Sequence, residues 1–187
     1  MPEIDMKVSP GPRRIIVVTG SVGGGKTSLV EEAAHLLKTE GVSVAGVITP
    51  VLNEAGKRVG YIIRDLRTGE ERILARTTPF DTPLRQCSFY FVEESFRWAE
   101  KLFSKSLDSQ VFILDEVGRL ELRRKGYYRL LESILLRYEG CFIITARRDI
   151  LAELIALFKI ERAAVIDIET EKEPLILLKE LVKAALS

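Results

Sequence analysis

Lys26 and Thr27 end a glycine-rich stretch whose residue types suit phosphate binding. Residues 20–27 read GSVGGGKT and fit the pattern G-x-x-x-x-G-K-[ST], called the P-loop below. Bare glycines let backbone N–H groups curl around phosphate oxygens that side chains would exclude. Lys26 can reach the β- and γ-phosphates, and the Thr27 hydroxyl suits a Mg²⁺ ligand. The residues expected to contact the nucleotide are Gly20, Ser21, Val22, Gly23, Gly24, Gly25, Lys26, Thr27 and Ser28.

Two adjacent acids, Asp115 and Glu116, follow the apolar run VFIL. The carboxyl end of a buried strand in an open α/β sheet faces the crevice where ligands bind. There Asp115 can hold Mg²⁺ opposite Thr27, often through a water. Adjacent side chains leave a strand in opposite directions, so Glu116 is free to orient or activate a water in line with the γ-phosphate. A surface acid or a charge at a helix start is the alternative for Glu116.

The transferring phosphoryl group needs a cation beyond Lys26 and Mg²⁺. A hydroxyl at Thr145, which follows the apolar run CFII, could also sense the γ-phosphate or the attacking water, unless it is a plain turn residue. For each candidate arginine, the alternative is an ordinary surface residue without a catalytic role. The arginines near expected strand ends or loops are Arg58, Arg85, Arg119, Arg147 and Arg148.

Strands that alternate with helices must position these residues. Apolar runs predict strands over residues 13–19, 42–49, 111–114, 141–144 and 163–168. Helical periodicity predicts helices over 27–38, 93–104, 126–137, 149–159 and from about Pro174. This order indicates a three-layer α/β sandwich with a mostly parallel sheet. An acid directly after the metal aspartate marks the RecA-like, or ASCE, branch of the P-loop ATPases. In that branch the strand that follows the metal strand lies between it and the P-loop strand. We therefore expect the 141–144 strand between the 111–114 strand and the P-loop strand.

Residues 50–92 interrupt the alternation. The runs at 58–63 and 71–74 surround Thr68 and Gly69 and predict an antiparallel hairpin. We expect a turn-rich link over 50–56, irregular chain over 77–86 and one more short strand over 89–92. Insertions of this kind usually carry partner or substrate selectivity. The predicted organisation is a single P-loop domain over 1–187, with a flexible lead-in over 1–12 and a β-rich insertion.

Composition narrows the classes of partner. The formal net charge of +1, from 28 basic and 27 acidic side chains, gives no global field to hold nucleic acid or an anionic membrane. No apolar run approaches the ~18 residues of a membrane span. Cys87 and Cys141 lack the spacing of a metal site or redox pair. We expect a cytoplasmic protein, a monomer or weak oligomer, with a nucleoside triphosphate as substrate and neither membrane nor nucleic acid as partner.

Three segments resemble one family: TGSVGGGKTSL at 19–29, GVITPVLNEAGKRVGYIIRDL at 46–66 and DEVGRLEL at 115–122. They resemble the small P-loop nucleoside-triphosphatases, a family that includes the thermophile enzymes and the cancer-related nucleoside-triphosphatase. The last segment matches the family pattern D-E-[IV]-G-[KR]-[ML]-E-L and is more specific than the P-loop. The resemblance implies Mg²⁺-dependent hydrolysis of ATP, GTP and other triphosphates to the diphosphate and phosphate. It also points to Arg119 as the catalytic arginine beside Lys26 and Glu116, whereas Gly118 and Glu121 are expected only to shape the turn.

Two segments depart from the family pattern. Asn53 stands where the family commonly has Arg, and residues 171–173 read EKE where it commonly has ENR, so we expect a base or phosphate contact to be missing there. Two other functions stay open. One is a nucleotide or small-molecule kinase whose acceptor binds the 50–92 insertion, although Glu116 counts against it because a hydrolytic water would waste the nucleotide. The other is a slow switch that binds a triphosphate and signals to a protein or RNA partner.

Overall fold

A ten-stranded sheet runs through the computed structural model, which describes residues 11–12 and 14–187. The predictions made for residues 1–10 and for Arg13 lie outside the described residues. The strands are β1 (Arg14–Gly20), β2 (Val44–Ile48), β3 (Val51–Glu54), β4 (Lys57–Asp65), β5 (Glu71–Arg76), β6 (Arg85–Gln86), β7 (Phe89–Phe91), β8 (Val111–Val117), β9 (Cys141–Arg147) and β10 (Ala164–Asp167). The helices are α1 (Lys26–Thr39), α2 (Glu93–Ser104), α3 (Arg119–Leu122), α4 (Tyr128–Arg137), α5 (Leu151–Phe158) and α6 (Pro174–Leu186).

One half of the sheet is parallel, in the order β10-β1-β9-β8-β2. Strand β9 therefore lies between the P-loop strand and the strand of the two acids, which confirms the predicted order. Successive residues of β1 pack into opposite faces: Val17 joins the core under α2, α4 and α5, and Val18 joins the core under α1 and α6. Both side chains are fully buried, so helices cover the two faces and the three-layer α/β prediction is confirmed.

The other half is antiparallel and consists of β3 to β7, named the wing (residues 51–91) below. Strand β4 pairs antiparallel with β2, and β5, β7 and β6 extend the sheet from it, while β3 also pairs with β4. The predicted hairpin is confirmed as the antiparallel pair β4 and β5. The wing thus continues the sheet beyond β2, which lies next to β8, the strand that carries Asp115.

Two short strands of the wing, β3 and β6, were not predicted. Residues 50–56 form strand β3 and a tight turn in which Ala55 and Gly56 both have positive φ, 48° and 74°. Such turns usually carry Asn-Gly or Asp-Gly, so an Ala-Gly pair gives little sequence signal. The region 77–86 also contains β6, whose two residues pair with β7.

The strands of the site are longer than their apolar runs. Strands β8 and β9 continue to Val117 and Arg147, so Asp115 and Thr145 lie inside strands rather than after them. Polar side chains remain in these buried strands because they bond to one another, as described below. The one-turn helix α3 was not predicted. No helix of the described chain has the length and apolar character needed to cross a membrane, and both cysteines are free.

Candidate active site

Lys26 is held inside the curl of the P-loop. Helix α1 begins at this residue, and Gly23 and Gly25 adopt left-handed φ of 73° and 95°, which favours glycine. The Lys26 Nζ donates to the carbonyl oxygen of Ser21 at 2.7 Å and to that of Gly20 at 3.4 Å. The residue is only 4% exposed. Because Lys26 is the first residue of α1, its charge lies at the start of the helix, where anions bind.

Asp115 is the centre of a buried hydrogen-bond cluster. Its Oδ2 accepts the Thr27 hydroxyl at 2.8 Å and the Thr49 N–H at 2.9 Å, and its Oδ1 accepts the Thr145 hydroxyl at 2.5 Å. Burial raises the pKa of Asp115, and the hydrogen bonds from Thr145, Thr27 and Thr49 oppose that rise. The structure thus brings Thr27 and Asp115 together across the P-loop.

The pair Thr27 and Asp115 fits Mg²⁺. A hydroxyl and a carboxylate are hard oxygen ligands, and Mg²⁺ usually binds one or two carboxylates together with phosphates and waters. Within the described ranges, no group of three or more His, Cys, Asp or Glu side chains could hold a metal ion. The candidate metal site therefore has few protein ligands. The Asp115 carboxylate forms no salt bridge with any described residue.

Glu116 has an unusual backbone conformation. Its φ is +61°, in the left-handed region that costs a non-glycine residue about 1–2 kcal/mol, and its N–H donates to the Thr145 hydroxyl at 2.8 Å. The register between β8 and β9 shifts between Leu114 and Val117, so the strand pairing is irregular at the two acids. Burial raises the pKa of Glu116, and the charge of Asp115 raises it further.

A cavity of about 450 Å³ lies between the P-loop and the wing. Residues 22–28, from the P-loop and the residue after it, line it together with Glu116. Of the predicted nucleotide contacts, Gly20 and Ser21 do not line it, and their carbonyl oxygens accept hydrogen bonds from Lys26. Wing residues such as Tyr61 and Phe89 form the opposite wall, so the insertion faces the P-loop.

Three of the five candidate arginines line this cavity: Arg58, Arg119 and Arg147. Arg119 and Arg147 share one carboxylate, since Asp149 accepts from Arg119 at 2.9 Å and from Arg147 at 2.9 and 2.7 Å. The guanidinium group of Arg58 lies 5.7 Å from the centre of the Tyr61 ring. The remaining two arginines do not line the cavity.

The two arginines outside the cavity have other partners. Arg148 pairs with Asp167, with its closest contact at 2.5 Å, and with Glu169 at 2.7 Å. Arg85 lies over the ring of Tyr90 at 4.9 Å.

A family model described as NTPase matches residues 15–179. The chain belongs to this NTPase family. The resemblance predicted from three segments is therefore confirmed over most of the chain.

Curated relatives carry the same kind of name. The nucleoside-triphosphatase THEP1 of Methanopyrus kandleri is 33% identical over 112 residues, which cover 60% of this chain and 62% of that protein. The THEP1 of Thermofilum pendens is 36% identical over 107 residues, 57% of this chain and 59% of that protein. The chain thus matches less than two thirds of the length of these relatives.

A solved structure shares the fold. The solution structure of a human cancer-related nucleoside triphosphatase superposes with a TM-score of 0.70 and covers 91% of this chain and 96% of that one. The identity is 23%, so this likeness shows the fold alone. It agrees with a P-loop NTPase fold with a mostly parallel sheet.

Glu121 stabilises the turn of the family motif, as expected. Its two carboxylate oxygens accept the N–H groups of Gly118 and Tyr127, each at 2.7 Å. The residue is 2% exposed, and burial raises the pKa of its carboxyl group to about 7. Gly126 has φ +60°, and a Cβ there would lie 2.3 Å from Glu121 Oε1, which explains a glycine at that position.

Sequence reasoning missed three contacts around the P-loop. They are the Thr49 N–H on Asp115, the Asp149 carboxylate that joins Arg119 and Arg147, and Glu169, whose Oε1 accepts the Ser21 N–H at 2.9 Å. Thr49 directly follows the apolar strand β2, and this position is only a weak indication that the residue contacts the site. The other two depend on how separate loops meet, and no local pattern indicates them.

Proposed function

We propose that the protein hydrolyses nucleoside 5′-triphosphates, such as ATP and GTP, to the diphosphate and phosphate with Mg²⁺. The observation that carries this proposal is the 2.8 Å hydrogen bond between Thr27 and Asp115, beside a cavity that Lys26 and Glu116 both line. The NTPase family and the names of the curated relatives support it.

The P-loop would bind and orient the phosphates. Lys26 and the amides at the start of α1 supply positive charge at one place. Thr27 and Asp115 would hold the Mg²⁺, which when bound neutralises charge on the phosphate oxygens. The ammonium group of Lys26 would leave the Ser21 carbonyl for the β- and γ-phosphates.

Glu116 would position the attacking water and take its proton. The water oxygen forms a bond to the γ-phosphorus, the bond from phosphorus to the bridging oxygen breaks, and the diphosphate leaves. A carboxylate with a raised pKa is a better general base than one in water. The burial and the Asp115 charge that raise the pKa of Glu116 therefore favour this role.

Arg119 would stabilise the charge that develops on the phosphoryl group. It lines the cavity and is tied to Arg147 through Asp149. Preorganised cations of this kind lower the barrier because they need little rearrangement during the reaction.

The test is phosphate release by purified protein with Mg²⁺ and a panel of triphosphates, without any added acceptor. Glu116→Gln should lower kcat by about 100-fold or more while nucleotide binding is retained. Glu94→Gln, at an acid that is 71% exposed on α2, should leave kcat unchanged. Nucleotide binding without phosphate release in the wild type would contradict hydrolysis and favour the switch.

A further inference from the structure

The cavity extends from the P-loop into an apolar space under the wing. We name this part the wing chamber and define it by Thr49, Leu74, Phe91, Phe96, Leu120 and Tyr127, which line the cavity. The ring of Phe96 lies 6.1 Å from that of Phe91 and 4.7 Å from that of Tyr127. These three rings therefore form one continuous wall. Phosphate groups require N–H groups and cations, so this wall does not bind the phosphate groups of the nucleotide.

Two buried hydroxyls of the wing chamber lack hydrogen-bond partners. They belong to Thr49, which is 3% exposed, and Tyr127, which is 1% exposed. Burial raises the pKa of Tyr127 and the nearby Thr49 hydroxyl opposes that rise, yet neither oxygen meets hydrogen-bond geometry. Gln86, which also lines the cavity, has an unpartnered Oε1. Buried polar atoms are nearly always paired, so these three atoms indicate a missing partner.

The wing chamber lies on the γ-phosphate side of the P-loop. The Thr49 N–H bonds to Asp115, and Glu116 lines the same cavity as Tyr127. On the other side of the loop, Ile168 and Glu169 approach Gly20 and Gly24. No residue after Arg147 within the described chain is part of the cavity wall. A triphosphate held by Lys26 and Thr27 thus presents its γ end to the chamber.

The walls also restrict the chemistry of an occupant. Flat aromatic walls favour a ring, and unpaired hydroxyl and amide oxygens favour a ligand with a hydroxyl group. Glu116 and Glu121 line the same cavity and disfavour an anion in the chamber.

We propose that the wing chamber binds a neutral, ring-bearing alcohol whose hydroxyl replaces water beside Glu116 and accepts the γ-phosphoryl group. The alcohol oxygen forms the bond to phosphorus, the bond to the bridging oxygen breaks, the diphosphate leaves and Glu116 takes the hydroxyl proton. The products are a phosphate monoester and a nucleoside diphosphate. This activity rests on the proposed function, because it uses the same bound triphosphate.

The experiment supplies Mg²⁺, ATP and either benzyl alcohol, 3-hydroxybenzyl alcohol or thymidine, with methanol as the ringless control. We expect ³¹P NMR to show a phosphate monoester whose formation saturates with the ring-bearing alcohol, with an equal loss of phosphate release. Methanol should give no saturable product. Phosphate release that continues without any monoester would overturn the second site alone, whereas loss of both nucleotide binding and phosphate release would contradict the proposed function.

Variants test the location of the site. Tyr127→Phe should raise the KM for the alcohol about tenfold, since it removes one hydrogen bond, and should leave the KM for ATP and phosphate release without alcohol unchanged. Tyr138→Phe is the matched control, because Tyr138 is fully buried and does not line the cavity. Leu74→Phe, which fills the chamber, should abolish monoester formation and retain hydrolysis. Equal alcohol KM values in all three variants, or a crystal structure with the alcohol in which only ordered waters contact Thr49 and Tyr127, would overturn the proposal.

Discussion

The Thr145 hydroxyl donates a hydrogen bond to Asp115 Oδ1 at 2.5 Å, across the boundary between the neighbouring strands β9 and β8. The hydroxyl oxygen of Thr145 also accepts the Glu116 N–H at 2.8 Å. One buried hydroxyl therefore fixes both acids and holds Glu116 in its left-handed conformation. Thr145 is thus neither a plain turn residue nor free to donate to a phosphate, as its sequence position alone had allowed.

Thr145→Val should damage both stability and turnover. Valine keeps the shape of threonine but leaves Asp115 Oδ1 and the Glu116 N–H without this partner. Unfolding in urea should show a loss of about 1–3 kcal/mol, and kcat should fall about 10-fold to 100-fold because Glu116 is misplaced. Thr145→Ser restores the hydroxyl and should recover most of both. A serine variant as impaired as the valine variant would show that the methyl group matters instead.

Glu121 should make stability depend on pH between about 4.5 and 7. Burial raises the pKa of its carboxyl group from 4.5 to about 7, so the folded protein holds this proton more tightly than the unfolded chain. The stabilisation from protonation is complete below pH 4.5 and is lost as the pH rises to about 7. Other acids titrate in the same range, so the measurement is the difference between wild type and Glu121→Gln.

In urea unfolding from pH 4.5 to 8, the wild-type free energy of unfolding should fall relative to that of Glu121→Gln as the pH rises. The glutamine cannot titrate, but it presents an N–H group to one of the two N–H donors, from Gly118 and Tyr127. It should therefore be less stable at low pH, by about 1–3 kcal/mol where the wild-type acid is protonated, and this difference should shrink as the pH rises. Parallel curves for the two proteins would show that Glu121 has an ordinary pKa.

The features that sequence predicted are those encoded by short contiguous patterns. Residues 20–27 and the acids Asp115 and Glu116 carry their chemistry in their own spacing, and the acid that directly follows Asp115 also indicated the position of β9 in the sheet. Strand β3 was missed because the turn at Ala55 and Gly56 that joins it to β4 needs positive φ, which alanine rarely adopts. The role of Thr145 was missed because it depends on the register between two strands that are thirty residues apart in sequence.

Asp149→Asn should impair turnover more than stability. The carboxylate holds Arg119 and Arg147 at the cavity, but the side chains are 36–49% exposed, and exposed ion pairs contribute only about 0–1 kcal/mol. We expect kcat to fall about 3-fold to 10-fold with unfolding free energy changed by less than about 1 kcal/mol. Asp167→Asn is the control, since Asp167 pairs with Arg148 outside the cavity. If Asp167→Asn lowered kcat as much as Asp149→Asn, the Asp149 carboxylate would have no special role in turnover.

The two buried tyrosines should respond in opposite ways to loss of the hydroxyl. Tyr138 Oη donates to the Ser109 carbonyl oxygen at 2.9 Å, so Tyr138→Phe leaves a buried carbonyl unpaired and should lower the unfolding free energy by about 1–3 kcal/mol. Tyr127 Oη has no partner in the described chain, so Tyr127→Phe removes a buried polar group that carries a desolvation cost. Its unfolding free energy should equal or exceed that of wild type in the absence of ligand. A loss comparable to that of Tyr138→Phe would show that an ordered water pairs the Tyr127 hydroxyl in solution.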